Sequence, residues 1–412
     1  MRILIISSEY GPYVRGGLGS HVNQLVAHLA TAGVRLTVGL ATHECVALID
    51  YEQGQPVWRA REQPDVSALD WHDGQMVVNS ALVALLTRCY PELPFDAIHS
   101  HDWISWTAGR ELAEQAGQPH LVTVHVLQDM LLRTGYTPDP RACAIEREMC
   151  TLADHVVTVS EAMRQRILLF PGVAPDRVSV IYNWVDPELF RDVPEDLVGA
   201  LRRRLAPAGE QIVLYAGRLS LQKGVEYLLA TAEQVRAARP RTRWVVVGRM
   251  SPHAAQRLQP FLMPGNDHIL FEGVQPRAEL ACYYRAADCV VEPSVYEPFG
   301  MVAIEAMAAG TPVIVSDIDG LREIVTDESG IRVAFEEHRV PARPDSVALA
   351  SAQIRLLADD QLRSRLGSAG QQRVQTHFST TALIPYVLEL YTRHTAAAAP
   401  HAASNGVRAE QG

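Results

Sequence analysis

Two glutamates, Glu297 and Glu305, stand eight positions apart around Pro298-Phe299-Gly300, and the run continues through Met301 and Val302 into an alanine-rich stretch that stops at Gly310. The order reads as a loop, a helix opening at Gly300, and a glycine stop before a strand. A helix start presents N–H groups with no internal partner and the positive end of its dipole, and glycine lets an anion come close. Such a start suits a phosphate. Glu305 then falls one and a half turns inside, ~7.5 Å along the axis, a fitting distance from that phosphate for a ribose, while Glu297 stays outside the helix and faces the cleft. A solvated glutamate on an amphipathic helix is the plain alternative for either residue alone, but the spacing of both around Pro298-Phe299-Gly300 favours a site.

A second stretch, Gly217-Arg218 to Lys223-Gly224, leaves a strand and enters a helix, so two cations framed by glycines at a strand's carboxyl end can clamp a diphosphate. Of 37 basic residues Lys223 is the only lysine. A compact ammonium fits a tight pocket as a point charge, where the planar fork of arginine does not. Near the N-terminus, Arg15-Gly16-Gly17-Leu18-Gly19 separates the first strand from the first helix. It lacks the G-x-G-x-x-G order, and no acidic residue closes the second strand, which argues against a dinucleotide-dependent dehydrogenase. The loop can still approach a phosphate or a sugar.

His99 and His101 share a strand face and invite a metal, but with no third ligand at suitable spacing no metal site is expected. Asp317-Ile318-Asp319 follows a strand and reads as a loop capping the helix at Leu321. Tyr10, Tyr13, Trp58, Trp71, Trp103 and Trp106 offer rings for stacking on sugars, though each suits a core as well.

What must position these residues is a series of short apolar runs alternating with helical patterns, the mark of βαβ units. Strands are predicted over 2–7, 35–40, 97–99, 121–125, 156–160 and 179–182, and a second series over 212–217, 244–248, 269–273, 289–293 and 312–316. Two parallel sheets follow, hence two sets of strand carboxyl ends with a cleft between them. The α/β fold expected has an N-terminal Rossmann-like domain over 1–190 and a C-terminal one over 191–376. A last helix, 377–395, packs back on the first domain, and a disordered tail covers 396–412.

The net charge of −10 gives no bulk attraction for nucleic acid or an anionic membrane, so phosphate must be held locally. Six cysteines without a C-x-x-C pair read as buried thiols of a reducing compartment. The apolar run at the N-terminus is too short for a signal peptide or a membrane span, so the expected location is cytoplasmic, with no stable membrane insertion.

Taken together, Glu297 to Glu305, Arg218 with Lys223, and Gly16-Gly17-Leu18-Gly19 resemble, respectively, the E-x7-E element, diphosphate clamp and glycine loop of the retaining glycosyltransferases of family 4. This large family includes sucrose synthases, bacterial mannosyltransferases and glycogen synthases and has the two-domain GT-B architecture. His99-Ser100-His101-Asp102-Trp103 and Val122-Thr123-Val124-His125 also resemble segments of its glycogen-synthase-like members.

The resemblance implies transfer of a hexose-type sugar, with retention and without a metal or cofactor, from a UDP- or ADP-linked donor to a small polar or sugar acceptor. It implies His125, Arg218, Lys223 and Glu297 as catalytic residues. Gly16, Gly17, Arg218, Lys223, Val274, Phe299, Gly300, Met301, Val302 and Glu305 would hold the donor, and Glu9 and Asp102 the acceptor. Arg15 stands where starch and glycogen synthases usually have lysine, and the chain is shorter than a typical bacterial glycogen synthase, so a glucan synthase is the alternative. A nucleotide-sugar epimerase of the same fold is the alternative of another class.

Overall fold

The computed structural model describes residues 1–339 and 342–398. Strands covered by helices on both faces must be apolar on both, which is why Arg2–Ser7 (β1) reads as unbroken aliphatic text with five of six residues buried. It sits inside an eight-stranded sheet with Arg35–Ala41 (β2), Val46–Glu52 (β3), Gln55–Glu62 (β4), Ala97–His101 (β5), His120–Val124 (β6), His155–Thr158 (β7) and Val178–Val180 (β8). The order is β4-β3-β2-β1-β5-β6-β7-β8.

A second, six-stranded sheet is built from Gln211–Ala216 (β9), Thr242–Val247 (β10), Ile269–Gly273 (β11), Cys289–Glu292 (β12), Val313–Ser316 (β13) and Gly330–Val333 (β14). Its order is β11-β10-β9-β12-β13-β14. All its pairings are parallel, in the dinucleotide-fold order 3-2-1-4-5-6.

The first sheet departs from the sequence expectation. β3 and β4 join it antiparallel, turning at Gln53-Gly54, both at positive φ (51° and 79°), the conformation that a two-residue hairpin matching strand twist requires. Neither this hairpin, nor the helix Trp71–Cys89 that packs beneath it, nor β14 was among the predicted elements. Charged and polar residues alternate along β4, most of whose residues lie open to solvent, so no apolar run marks it.

The two sheets are joined through the short helices Glu188–Arg191 and Glu195–Leu205, and the chain returns to the first sheet at Phe378. There the Val185 N–H donates to the Phe378 carbonyl at 2.9 Å and the Thr380 N–H to the Val185 carbonyl at 3.1 Å, tying the two crossing strands of chain together. The helix Thr380–Ala398 then buries Leu383, Val387, Leu390 and Tyr391 against β1 and the helix Gly17–Thr31. Of the expected tail, residues 396–398 prolong this helix, and 399–412 lie outside the described residues.

Strand order reverses between β1 and β5 in one sheet and between β9 and β12 in the other. Loops leaving neighbouring strands there turn to opposite faces and open a crevice at the carboxyl ends. Those four loops carry Glu9 to Gly17, Asp102, Arg218 to Lys223, and Glu297 to Gly300.

Candidate active site

On the second sheet, β9 runs out at Ala216 into a 3-10 turn, Leu221–Lys223, that ends on Gly224 at φ +64°. A side chain at Gly224 would put its Cβ 2.1 Å from the Pro293 carbonyl oxygen. That contact draws the turn against the end of β12 and sets Lys223 among carboxylates. Its Nζ is ion-paired with Glu297 and lies 3.5 Å from Glu292 Oε1, and Ser294 Oγ donates to Glu297 at 3.1 Å.

Burial pulls the Lys223 ammonium down, but Glu297 and Glu292 outweigh it and hold the pKa above its usual value. Burial and the neighbouring Glu297 push Glu292 well up. Glu297 is also raised by burial but, facing Lys223, ends below its usual range. Arg218 by contrast meets no carboxylate among the described residues and donates to Gln222 Oε1 at 3.3 Å. One cation is therefore built in and the other is presented.

The helix Met301–Ala308 starts at Gly300, where φ is +127° and a Cβ would lie 2.6 Å from Leu321 Cδ2. Phe299 is buried beneath it, and Met301 and Val302 line its first turn, half-buried. Glu305 lies inward: Tyr284 Oη donates to it at 2.9 Å and Arg277 Nη2 at 3.3 Å. Burial raises its pKa against the pull of Arg277. Val274 stands exposed just beyond β11.

Across the cleft, Glu9 folds back over the glycine loop, its Oε2 accepting the N–H of Arg15 (2.8 Å), Gly16 (3.0 Å) and Gly19 (3.2 Å). In this state a carboxylate of the chain itself thus occupies the N–H groups that the glycine loop turns toward the cleft. Gly17 opens the helix behind it, and a Cβ there would sit 4.0 Å from Met301 Cγ, so the glycine loop and the helix start of the other wall face one another.

Asp102, at φ +60°, accepts the His125 N–H at 2.6 Å and so sets the direction in which the chain leaves β6. Its burial lifts its pKa to about 7, against backbone N–H groups that lower it.

Histidines fill the floor of this wall. His101 Nδ1 and His125 Nε2 are 3.0 Å apart, and His99 bonds Tyr391 Oη at 2.7 Å and Thr123 Oγ1 at 2.8 Å. Burial holds His21 at about 4 and His99 at about 3, and His101 and His125 well below their usual value, so all four rings are neutral.

Three histidines do gather in space, though not around the pair His99 and His101. His21, on the first helix, brings its ring nitrogen within 4.8 Å of those of His101 and His125. Two of the three are already hydrogen-bonded to each other.

Two further expectations are resolved. Asp319 does not cap its helix, Asp319–Ile324, where no side-chain cap bond exists; its carboxylate instead bonds Arg133 at 2.8 Å, across the cleft. Among the candidate stacking rings, Tyr10, Trp103 and Trp106 are core, whereas Trp58 and Trp71 are 44% and 51% exposed. Glu292, Arg277, Tyr284, Tyr296 and His21 were not anticipated: the first three reach the site from elements whose local text carries no signal of it, and Tyr296 and His21 adjoin the singled-out loops but read as ordinary core residues.

Residues 200–373 match the family of glycosyl transferases group 1, and residues 15–189 match glycosyltransferase family 4. The chain is 31% identical to the D-inositol 3-phosphate glycosyltransferase of Xylanimonas cellulosilytica, covering 92% of each chain. It is 29% identical to the alpha-maltose-1-phosphate synthase of Mycolicibacterium smegmatis, over 96% of this chain and 100% of that one. Among solved structures, sucrose-phosphate synthase from Thermosynechococcus elongatus superposes with a TM-score of 0.81 at 28% identity, covering 96% of this chain and 99% of that one.

Proposed function

We propose that this chain, which belongs to glycosyltransferase family 4 and has the two-domain GT-B fold, is a retaining hexosyltransferase that uses a UDP- or ADP-linked sugar and needs no metal. The observation that carries the reading is the pairing, at one switch point, of a half-buried Lys223 held by Glu297 with an Arg218 fork that is held, among the described residues, by Gln222 alone, opposite His125.

As the bond between sugar and diphosphate breaks, negative charge grows on the leaving oxygen. Arg218, Lys223 and the helix start at Gly300 stabilise it without reorganising. The acceptor hydroxyl attacks from the face the phosphate leaves, and its proton passes to the phosphate oxygen, so no nucleophile from the chain is required. His125 and Glu297 orient the transferred sugar, and Glu305 takes the ribose. Backbone around Val274 meets the base, and Gly16 and Gly17 close over the phosphates once Glu9 moves off the loop. Asp102 and the other oxygen of Glu9 face the acceptor.

Among the described residues no helix is long and apolar enough to cross a membrane, and a nucleotide sugar points to work in the cytoplasm. Relatives named for D-inositol 3-phosphate, maltose-1-phosphate and sucrose-phosphate make a small sugar or polyol the acceptor to try first.

A thermal-shift panel of UDP, ADP and their sugars tests the donor, since a ligand at 100 times its dissociation constant adds about 2.7 kcal/mol. The donor it selects is then incubated with sugar phosphates and with malto-oligosaccharides, and the product anomer is read by NMR. An inverted product removes the mechanism. Complete conversion of donor without acceptor makes the protein an epimerase.

A further inference from the structure

Asp319 is, among the described residues, one of four non-glycine residues at positive φ, at +36°, a conformation that strains a side-chain-bearing residue and persists where its surroundings over-determine it. Both its carboxylate oxygens are engaged. Oδ1 accepts Arg133 Nη1 at 2.8 Å, and Oδ2 faces the Glu297 N–H at 3.4 Å. The next residue grips Glu297 from its other side, at the following peptide: the Gly320 N–H donates to the Glu297 carbonyl at 3.1 Å, and a Cβ on Gly320 would lie 2.5 Å from Phe299 Cα. The Asp319 side chain is 8% exposed, and among the described residues Arg133 is the one that bonds it from the first wall.

Arg133 belongs to the 3-10 segment Gln128–Thr134, which starts three residues after His125. That segment is fastened to its own wall. The Gln128 N–H meets both oxygens of buried Glu146, at 3.1 and 3.0 Å, and Arg166 Nε bonds Asp129 at 2.9 Å. Other hydrogen bonds span the cleft as well. The Leu127 N–H meets Tyr296 Oη at 3.2 Å, and the Glu323 carboxylate accepts the N–H groups of Glu161 and Ala162 at 2.8 Å each. These hold the walls together but leave the Glu297 amide untouched.

We propose that Arg133 and Asp319 are positioning residues, a latch across the cleft that sets the Glu297 backbone in its working place only when the walls are closed. The proposal rests on the transferase reading for its kinetic consequence alone. With the latch open, the donor still meets Lys223 and Glu305 on its own wall, while the sugar-facing carboxylate is not aligned with His125. Loss of the latch therefore lowers turnover and spares donor affinity.

Small-angle scattering of the free chain and steady-state kinetics test this on Arg133→Ala, Asp319→Gly and the double variant. Glycine at 319 relieves the positive φ, so that variant folds even if the alanine variant does not. Both singles are expected to scatter as a more open particle than the wild type. Turnover should fall about tenfold, in proportion to the closed population, with donor KM within about threefold of wild type. The double variant should be no worse than either single, as for two groups acting through one contact. Unchanged scattering overturns the latch, and so do additive losses in the double variant or a loss confined to donor KM. A wild type that transfers no sugar overturns the transferase reading instead, and scattering still reads the latch.

Discussion

The two walls of the cleft are built from opposite chemistry. On the first, His21, His99, His101 and His125 are buried as neutral rings: His101 bonds His125, His99 bonds Tyr391 and Thr123, and the His21 ring packs against those of His101 and His125. On the second, buried carboxylates are set against cations: Lys223 between Glu297 and Glu292, Arg277 on Glu305, and Arg133 reaching over to Asp319. Neutral rings suit a sugar, which offers hydroxyls and no charge. Paired charges suit a diphosphate, because a cation held in place by a carboxylate need not reorganise when an anion arrives. The difference teaches that the two walls answer to different variables, the first to protonation and the second to the loss of a charge.

The largest effect expected is on the second wall. Lys223→Ala should cost turnover ~2.7 to 4 kcal/mol, about 100-fold to 1000-fold, as for removal of one preorganised donor. Lys223→Arg should restore only part of it, since the pocket between Glu292 and Glu297 is shaped for a compact ammonium. Steady-state kinetics on a folded variant decide this. Near-normal turnover in the alanine variant would leave the helix start and Arg218 to hold the diphosphate and would erase the contrast between the walls.

Next in size is Glu305→Ala, which removes a carboxylate held by Tyr284 and Arg277. A ribose contact made equally in ground and transition states predicts a donor KM raised by about tenfold or more, with turnover changed less. A pure turnover defect would move Glu305 into the chemistry.

Acid should separate the walls directly. The four histidines of the first wall have pKa values depressed by burial, to about 4 for His21 and about 3 for His99, from an ordinary 6.5. The unfolded chain therefore takes up protons that the native one refuses, so their stability is full above pH 6.5 and drains as pH falls toward 4. Burial raises Asp102 to about 7 and Glu146 to about 9, which works the other way. Four imidazoles against two carboxyls leave an uptake of roughly two protons on unfolding.

On the second wall burial raises Glu292, Glu305 and Asp319, so the native state holds protons there that the unfolded chain releases above its ordinary carboxylate pKa. Falling pH stabilises these, and Glu297, lowered by Lys223 against its burial, is the exception. Hydrogen exchange at pH 5 and pH 7 should show β5 and β6 losing protection on acidification before β9 and β12. The reverse order would break the comparison.

The smallest expected effect is none: transfer should survive EDTA, because charge on the leaving group is met by Arg218 and Lys223. The nearness of His21, His101 and His125 sharpens this test. Activity lost on chelation and restored by a divalent ion would make the first wall a metal site.

Legibility in the sequence followed contiguity. The stretch from Arg218 to Lys223 and the one from Glu297 to Glu305 could be read because a loop between strand and helix carries its cations, glycines and carboxylates within ten residues. Periodicity likewise revealed eleven of the twelve parallel strands among the described residues, all but β14, whose four residues include Gly330 and Arg332. The β3–β4 hairpin escaped because β4 alternates polar residues on an open edge.

The amino-acid order by itself determined the α/β class, the two sheets, and which glycine-bearing loops lie between a strand's carboxyl end and a helix start, since these are local features of the chain. Only the tertiary structure decided what those groups do to each other. It set Glu292 beside Lys223 from 69 residues away and Asp319 beneath Arg133 from 186 away. It also turned Glu9 onto its own glycine loop and gathered four histidines from three elements into one dry floor. Burial and neighbouring charge set a group's ionisation and reach, and both come from chain segments that no local reading of the sequence brings together.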